Sequence, residues 1–518
     1  MKNGMASKFK TKKELDEAIL KEKAKGTPDL EIGQKYGVTY RYIEKLITRE
    51  KGVNVSSLKS SKEIKRLQPQ DFKEEQTTVW SFKQRGNWAT HSGEYRGNWS
   101  PYIPRNIILK YSNPGDFVLD YFCGAGTTAI ECKLLNRQCL ALDINEKAIE
   151  LAKQKLDFSL SPGQPELISD PTKIFTYEPK LMVGDARDLS FLPDNSVDLI
   201  CSHPPYADII QYTDHKKGDL SHLGIEEFLK EMEKVARESY RVLKPGKKCA
   251  ILIGDMRKNR HIVPLGFKVI DVYLRAGFKL KELIIKRQHN CKTTGFWYAN
   301  SIRYNFLLLA HEYLPVFEKS ESRPQIKEES SSPLIESKFT KPKQKRGIKE
   351  LETTTVWIFP KEEFEELLDT NILLRYKTKE GVQVINLTAE GEDSHNTAQN
   401  QKIKSKQNCL LYLKAVPAWI KSVDFDENQF LSKLQSVIET ETTSLIEGST
   451  VAILTQDIRK NNYLIPIAKL ILDRVRIDEA RLKEIVIVTT NNNSSNSYRQ
   501  PNGLLEITHY YLLIYQLK

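Results

Sequence analysis

The sequence lacks any run of 18 consecutive apolar residues, which excludes an ordinary membrane-spanning helix. Its first residues, MKNGMASKFK, hold no apolar stretch of the kind that directs secretion, so a cytoplasmic location is expected. Only 7 cysteines occur in 518 residues, with no Cys-x-x-Cys pair and no Cys/His spacing suited to zinc. A disulfide framework and a metal site are therefore not expected. What is present is positive charge. There are 79 Lys and Arg against 67 Asp and Glu, a net +12 that points to a polyanionic partner, most simply nucleic acid. With 40% hydrophobic and 28% charged residues the chain reads as globular, and its length asks for two to four domains.

The charge is concentrated at one end. Residues 1–68 hold 17 Lys and Arg against 9 Asp and Glu. Within them, Glu14–Gly26 and Thr27–Gly37 read as helices closing on glycine. After the Gly37-Val38-Thr39 turn, Tyr42, Ile43, Leu46 and Ile47 recur at helical spacing. Arg41, Lys45, Arg49 and Lys51 surround them. The segment, residues 1–69, resembles a helix-turn-helix, whose second helix enters the major groove while basic side chains meet phosphates. Arg41, Lys45 and Arg49 are its candidate DNA contacts.

Strands and helices alternate over residues 70–317, the pattern of an α/β, Rossmann-like doubly wound sheet. Seven strands are expected, at Phe117–Phe122, Cys139–Ile144, Leu181–Asp185, Val197–Ser202, Lys248–Asp255, Leu280–Lys286 and Tyr304–His311. Ligands bind at the carboxyl ends of such strands. The first strand runs into Cys123-Gly124-Ala125-Gly126-Thr127-Thr128, where glycines let the backbone turn sharply and approach a ligand. The second ends at Asp143, placed to hold a ribose diol. A third glycine of the dinucleotide fingerprint is missing, which argues against NAD. Asp185 closes the third strand and can meet an adenine edge. The fourth runs into Ser202-His203-Pro204-Pro205-Tyr206, where two prolines end the ladder and set a rigid loop.

Pro114–Thr128 together with the Pro-Pro-Tyr loop resembles the S-adenosylmethionine-dependent amino-methyltransferases that make N4-methylcytosine or N6-methyladenine in DNA. The likeness spans roughly residues 77–315. It implies that Asp120, Phe122, Gly124, Gly126, Thr127, Thr128, Asp143 and Asp185 surround S-adenosylmethionine. It further implies that Ser202, His203, Pro204, Pro205 and Tyr206 hold the extruded base. Such a base amine is a poor nucleophile until acceptors take its N–H bonds, here one side chain and the carbonyl of Pro204. Tyr121 and Ala125 stand where the family usually has Pro and Ser. His203 stands where it usually has Asp, Asn or Ser, which leaves adenine and cytosine both open; a neutral imidazole can accept one hydrogen bond, and Ser202 is the alternative acceptor. No Pro-Cys dipeptide occurs, so the thiolate route to C5-methylcytosine is excluded.

Two further segments, Asp208–Leu223 and Lys286–Trp297, are candidate DNA contacts, the second through Arg287, Gln288 and Asn290. Double-stranded DNA is the implied partner, and a cognate restriction or defence nuclease is left open. An RNA amino-methyltransferase and an inactive DNA-binding regulator are the alternative functions.

Residues 318–350, rich in Ser, Lys, Pro and Glu, read as a linker. Beyond it the chain repeats itself. Gly246–Pro264 matches Gly448–Pro466 at an offset of 202, with nine of nineteen positions identical. Thr-Thr-Val-Trp recurs at Thr77–Trp80 and Thr354–Trp357. The second copy, 75 residues shorter between these landmarks, has neither Gly-rich turn nor Pro-Pro-Tyr. Residues 351–518 are expected to form a partial sheet, a degenerate methyltransferase-like lobe.

Overall fold

The structure is a computed structural model. It describes residues 9, 11–55, 64, 66–159, 177–207, 210–214, 216–289, 295–320, 351–378, 381–387, 392–393, 408–417, 425–491 and 503–518. The chain opens with three helices, α1 (Lys12–Lys25), α2 (Asp29–Tyr36) and α3 (Tyr40–Lys51). Thr11 and Thr39 cap α1 and α3, each side chain accepting a backbone N–H at 3.2 Å. Their apolar faces meet at Ile19, Ile32, Ile43, Leu46 and Ile47, and this cluster continues into Tyr95, Ala125 and Ala148 of the next domain.

That domain holds β1 (Val79–Trp80), α4 (Tyr102–Tyr111), β2 (Phe117–Asp120), α5 (Thr127–Leu134), β3 (Gln138–Asp143), α6 (Glu146–Leu156) and β4 (Lys180–Val183). It continues through β5 (Val197–Ser202), α7 (Ile225–Val242), β6 (Leu243–Ile251), β7 (Met256–Lys258), β8 (His261–Val263), α8 (Leu265–Arg275), β9 (Lys279–Arg287), α9 (Gly295–Arg303) and β10 (His311–Glu318). The main sheet runs β1-β9-β10-β6-β5-β2-β3-β4, and β10 alone is antiparallel to its neighbours. The order reverses between β2 and β5, so a crevice opens at their carboxyl ends.

Two sequence expectations are corrected here. The sheet has eight strands rather than seven, because two-residue β1 joins β9 in parallel. The last strand is His311–Glu318, not Tyr304–His311. The apolar run Phe306–Ala310 imitates a strand, but Leu308 makes only one isolated bridge, to Thr354 of the second lobe. The real strand tolerates Pro315 because its ladder to β6 covers only Val316–Glu318, so the missing N–H falls in a gap below the Ile253–Tyr313 bridge.

The second lobe comprises β11 (Val356–Phe359), α10 (Phe364–Tyr376), β12 (Val382–Leu387), β13 (Glu392–Asp393), β14 (Leu410–Lys414), α11 (Glu427–Thr442) and β15 (Thr450–Thr455). It ends with β16 (Ile458–Lys460), β17 (Tyr463–Ile465), α12 (Ile467–Arg474), β18 (Ala480–Thr490) and β19 (His509–Leu517). Its sheet is fuller than a partial one, with seven strands ordered β11-β18-β19-β15-β14-β12-β13. β11 pairs with β18 in parallel, as β1 pairs with β9. Both Thr-Thr-Val-Trp copies make the same local bond, the indole N–H of Trp80 or Trp357 donating 2.9 Å to the carbonyl of Thr77 or Thr354. Register explains the missing chemistry. Where β2 gives way to the glycine turn, the end of β12 pairs antiparallel with β13. Aligned through the β6 and β15 pairings, Leu413-Lys414-Ala415-Val416-Pro417 takes the place of Ser202–Tyr206.

Candidate active site

A cleft opens at the carboxyl ends of β2, β3, β4 and β5, where ligands bind in sheets of this kind. It is lined by Phe122, Gly124, Asp143 and Asp185, and from the other side by His203 and Pro205. The distant sequence motifs therefore share one cavity. Gly124 has φ +49°, and a Cβ there would sit 2.9 Å from the Tyr95 ring, so glycine is required by backbone and space alike. Its N–H donates 2.9 Å to Asp143 Oδ2, while Asn145 N–H donates 2.9 Å to Oδ1. Burial outweighs these bonds and raises the Asp143 carboxyl to about 6. Asp185 is clamped by Arg187, whose Nε donates 2.9 Å to Oδ1. Cys123 also lines the cleft, but burial pushes its thiol well up, away from the thiolate form.

Other candidates lie elsewhere. Asp120 and Ser202 are both buried and face each other: the Ser202 hydroxyl donates 2.6 Å to Asp120 Oδ1 and accepts the Phe122 N–H at 3.1 Å. They lock β2 to β5 behind the cleft, so Ser202 is not free to accept a proton from a ligand. Gly126 caps α5 with φ +80°. Thr127 donates 2.5 Å to Asn98 Oδ1, and Thr128 is fully buried in α5. Arg41 and Lys45 are exposed on α3, whereas Arg49 pairs with Asp16 at 2.9 Å. Arg287 and Gln288 are half-buried at the end of β9, with the Gln288 N–H donating 2.7 Å to Ala310 O. Asn290 lies outside the described residues. Of the polar segment after the Pro-Pro-Tyr loop, Tyr212, Thr213, Gly218, Asp219 and Leu220 form a wall of the cleft rather than a solvated loop.

The loop His203–Tyr206 is held by groups that sequence reading missed. Glu312 on β10 is 7% exposed; its Oε1 accepts the Tyr206 hydroxyl at 2.8 Å and its Oε2 the Lys286 ammonium at 2.7 Å. Burial alone would raise this carboxyl, but Lys286, His203 and the Tyr206 bond together hold it at about 2. Since Tyr206 gives its one proton to an ionised carboxylate, it can only accept from His203 Nε2, 3.1 Å away. The chain of bonds thus fixes the Nε2–H tautomer and leaves Nδ1 a bare acceptor. Burial lowers the His203 ring to about 4, so it is neutral at ordinary pH. The ring also stacks on Trp99, with centroids 5.5 Å apart and planes at 26°. A signal for that wall was present: Arg-Gly-Asn-Trp occurs twice, at Arg85–Trp88 and Arg96–Trp99. The second copy supplies Gly97, Asn98 and Trp99 to the cleft.

Comparison with known proteins bears on this geometry. The model of the DNA methylase family matches residues 4–154 and 197–409, well over half of the chain. The chain belongs to the DNA methylase family. A general methyltransferase-domain model matches residues 112–271. Among relatives, the Type II methyltransferase M.HpaI of Haemophilus parainfluenzae is 53% identical over 51 residues, 10% of this chain and 16% of its own. M.SmaI of Serratia marcescens is 33% identical over 88 residues, 17% of this chain and 29% of its own. M.MthZI of Methanothermobacter thermautotrophicus is 29% identical over 174 residues, covering 30% and 48%. The matched region therefore spans less than half of each relative's length. Among solved structures, a SAM-dependent methyltransferase from Methanosarcina mazei superposes on 41% of this chain and 97% of its own, at 17% identity and a TM-score of 0.28. S-adenosylmethionine is the cofactor of such methylases, and the cleft's donor set suits it: strand-end carboxylates, a glycine turn and the apolar Phe122 and Leu220. Among the described residues no cluster of three or more His, Cys, Asp or Glu is arranged to hold a metal, and no helix is long and apolar enough to cross a membrane.

Proposed function

We propose that the protein methylates an exocyclic amine of a base in double-stranded DNA, N4 of cytosine or N6 of adenine. One observation carries the reading: an imidazole locked with Nδ1 as acceptor sits on a proline loop in the same cleft as the glycine turn and Asp143. S-adenosylmethionine, when bound, supplies a methyl group on a sulfonium centre. Phe122, Gly124, Asp143 and Asp185 are the residues that would hold it. His203 Nδ1 and the Pro204 carbonyl would take the two amine N–H bonds, which frees the nitrogen lone pair for the methyl. Tyr206 and Trp99 offer aromatic faces for a base that has left the stack. Asp120, Ser202, Gly126, Thr127 and Thr128 serve the site from behind, by fixing the turn and the strand end. Arg41 and Lys45 on α3 would meet phosphates. The buried face of the three-helix unit packs in one apolar cluster with Ala125 of the glycine turn, so the helices that would carry the phosphate contacts are seated on the cofactor turn.

The test is base-resolution sequencing of modified nucleotides in DNA from cells expressing the chain. N4-methylcytosine or N6-methyladenine should appear at a defined short sequence and vanish with Tyr206→Ala. Unmodified DNA alongside newly methylated RNA would overturn the reading.

A further inference from the structure

The contacts between the two lobes occur in matched pairs with the lobes exchanged. Arg257 of the β7–β8 hairpin donates 2.6 Å to Glu484 Oε2 on β18, and Arg459 of the β16–β17 hairpin donates to Glu282 Oε2 on β9. The same two arginines reach the carbonyls of Lys483 and Lys281, at 3.3 and 2.9 Å, and of Leu307 and Leu505, at 2.8 and 2.9 Å. Each glutamate then takes a backbone N–H through its other oxygen, Glu484 from Leu307 at 3.0 Å and Glu282 from Leu505 at 3.1 Å. Along the strand edges, Thr355 Oγ1 lies 2.9 Å from His311 Nδ1, and Thr78 Oγ1 lies 2.9 Å from His509 Nδ1. The backbones repeat this: Thr355 N–H donates to Leu308 O and Thr78 N–H to Glu506 O, both at 2.9 Å.

A face on which residue i of one body meets j of the other, and j meets i, is the mark of a two-fold, self-complementary interface. Unrelated domains joined by a linker have no reason to meet this way. Both glutamates are fully buried, so the pairing is a packed face and not a rim contact. We infer that the catalytic lobe carries a self-association face built on Arg257 and Glu282, whose natural occupant is a second catalytic lobe. In this chain the carboxy-terminal lobe fills it in cis, as a built-in second subunit whose sequence has neither the glycine turn nor Pro-Pro-Tyr. Tethering raises the effective concentration of the internal partner above that of any second chain, so the full chain is a monomer. The inference rests on the lobe pairing and is independent of the reaction proposed above.

Charge reversal on the carboxy-terminal side alone tests it. In the Arg459→Glu/Glu484→Arg variant both buried cis pairs become like-charged, with Arg257 set against an arginine and Glu282 against a glutamate. The catalytic face stays intact, and two chains can still pair Arg257 with Glu282 in both directions. Sedimentation velocity should show the parent at its monomer mass of 59.7 kDa and this variant at twice that mass in a concentration-dependent equilibrium. Adding Arg257→Glu/Glu282→Arg restores opposite charge in cis and should return the quadruple variant to a monomer. A dimeric parent would overturn the inference. So would a double variant that stays monomeric, or one that aggregates and is not recovered in the quadruple variant.

Discussion

Replacing Glu312 by Gln changes one atom type and should reverse the polarity of the bonds that set His203. The carboxylate now accepts from both Lys286 and Tyr206. An amide has only one acceptor oxygen, and a charged donor competes for it best. A hydrogen bond to a charged group contributes about 1.5–3 kcal/mol and a neutral one about 0.5–1.5 kcal/mol, so the amide oxygen should turn to Lys286 by a margin of about 1–2 kcal/mol. Its NH2 then faces Tyr206, whose hydroxyl becomes the donor to His203 Nε2. The ring shifts its proton to Nδ1, and the acceptor in the cleft is lost. At about 1.4 kcal/mol per tenfold change, the productive tautomer falls by about 5–30-fold, and single-turnover methylation of a duplex substrate should slow by that factor. Glu312 does not line the cleft, so S-adenosylmethionine affinity by calorimetry should be unchanged. A single-turnover rate within about twofold of the parent would refute the tautomer argument. So would equal losses of rate and cofactor affinity, which would make Glu312 a general support of the fold.

Other expectations follow from the same geometry. His203, held near pKa 4 in the fold against ~6.5 unfolded, stays neutral through mild acid, so single-turnover methylation at saturating S-adenosylmethionine, which takes the titration of Asp143 near 6 out of the rate, should be flat down to pH ~5 and fall toward pH 4; a limb centred near ~6.5 would mean the ring is not desolvated in solution. Because the unfolded chain protonates first, this residue's share of stability is complete above ~6.5 and erodes as pH falls toward 4, which acid melting of His203→Asn against the parent can read. Gly124→Ala, strained at φ +49° and pressed on Tyr95, should weaken cofactor binding by more than about tenfold with little loss of duplex affinity; unaltered cofactor binding would remove the turn from the site. Arg41→Ala/Lys45→Ala should lower the slope of log affinity against log salt by about two while melting temperature holds, and an unchanged slope would leave α3 without a phosphate role.

The glycine turn, the Asp143 strand end and the Pro-Pro-Tyr loop were legible because each is a local signal, an apolar strand that stops at glycine, at a carboxylate or at proline. The three amino-terminal helices and the internal repeat were legible for the same reason, periodicity and literal recurrence. The final strand was misplaced because Phe306–Ala310 is the more uniformly apolar run, whereas His311–Glu318 hides a strand behind Glu312 and Pro315. Tertiary structure alone decided which hydroxyl and which ring face the cleft. Ser202 and His203 are adjacent in sequence, yet alternation along the strand end turns one inward to Asp120 and leaves the other over Trp99. Nothing local marks Glu312, more than a hundred residues from Tyr206, as the carboxylate that orders the loop. That pairing exists because β10 returns antiparallel through the middle of the sheet, and the polarity of a buried hydrogen-bond chain is set by whichever charge the fold brings to its end.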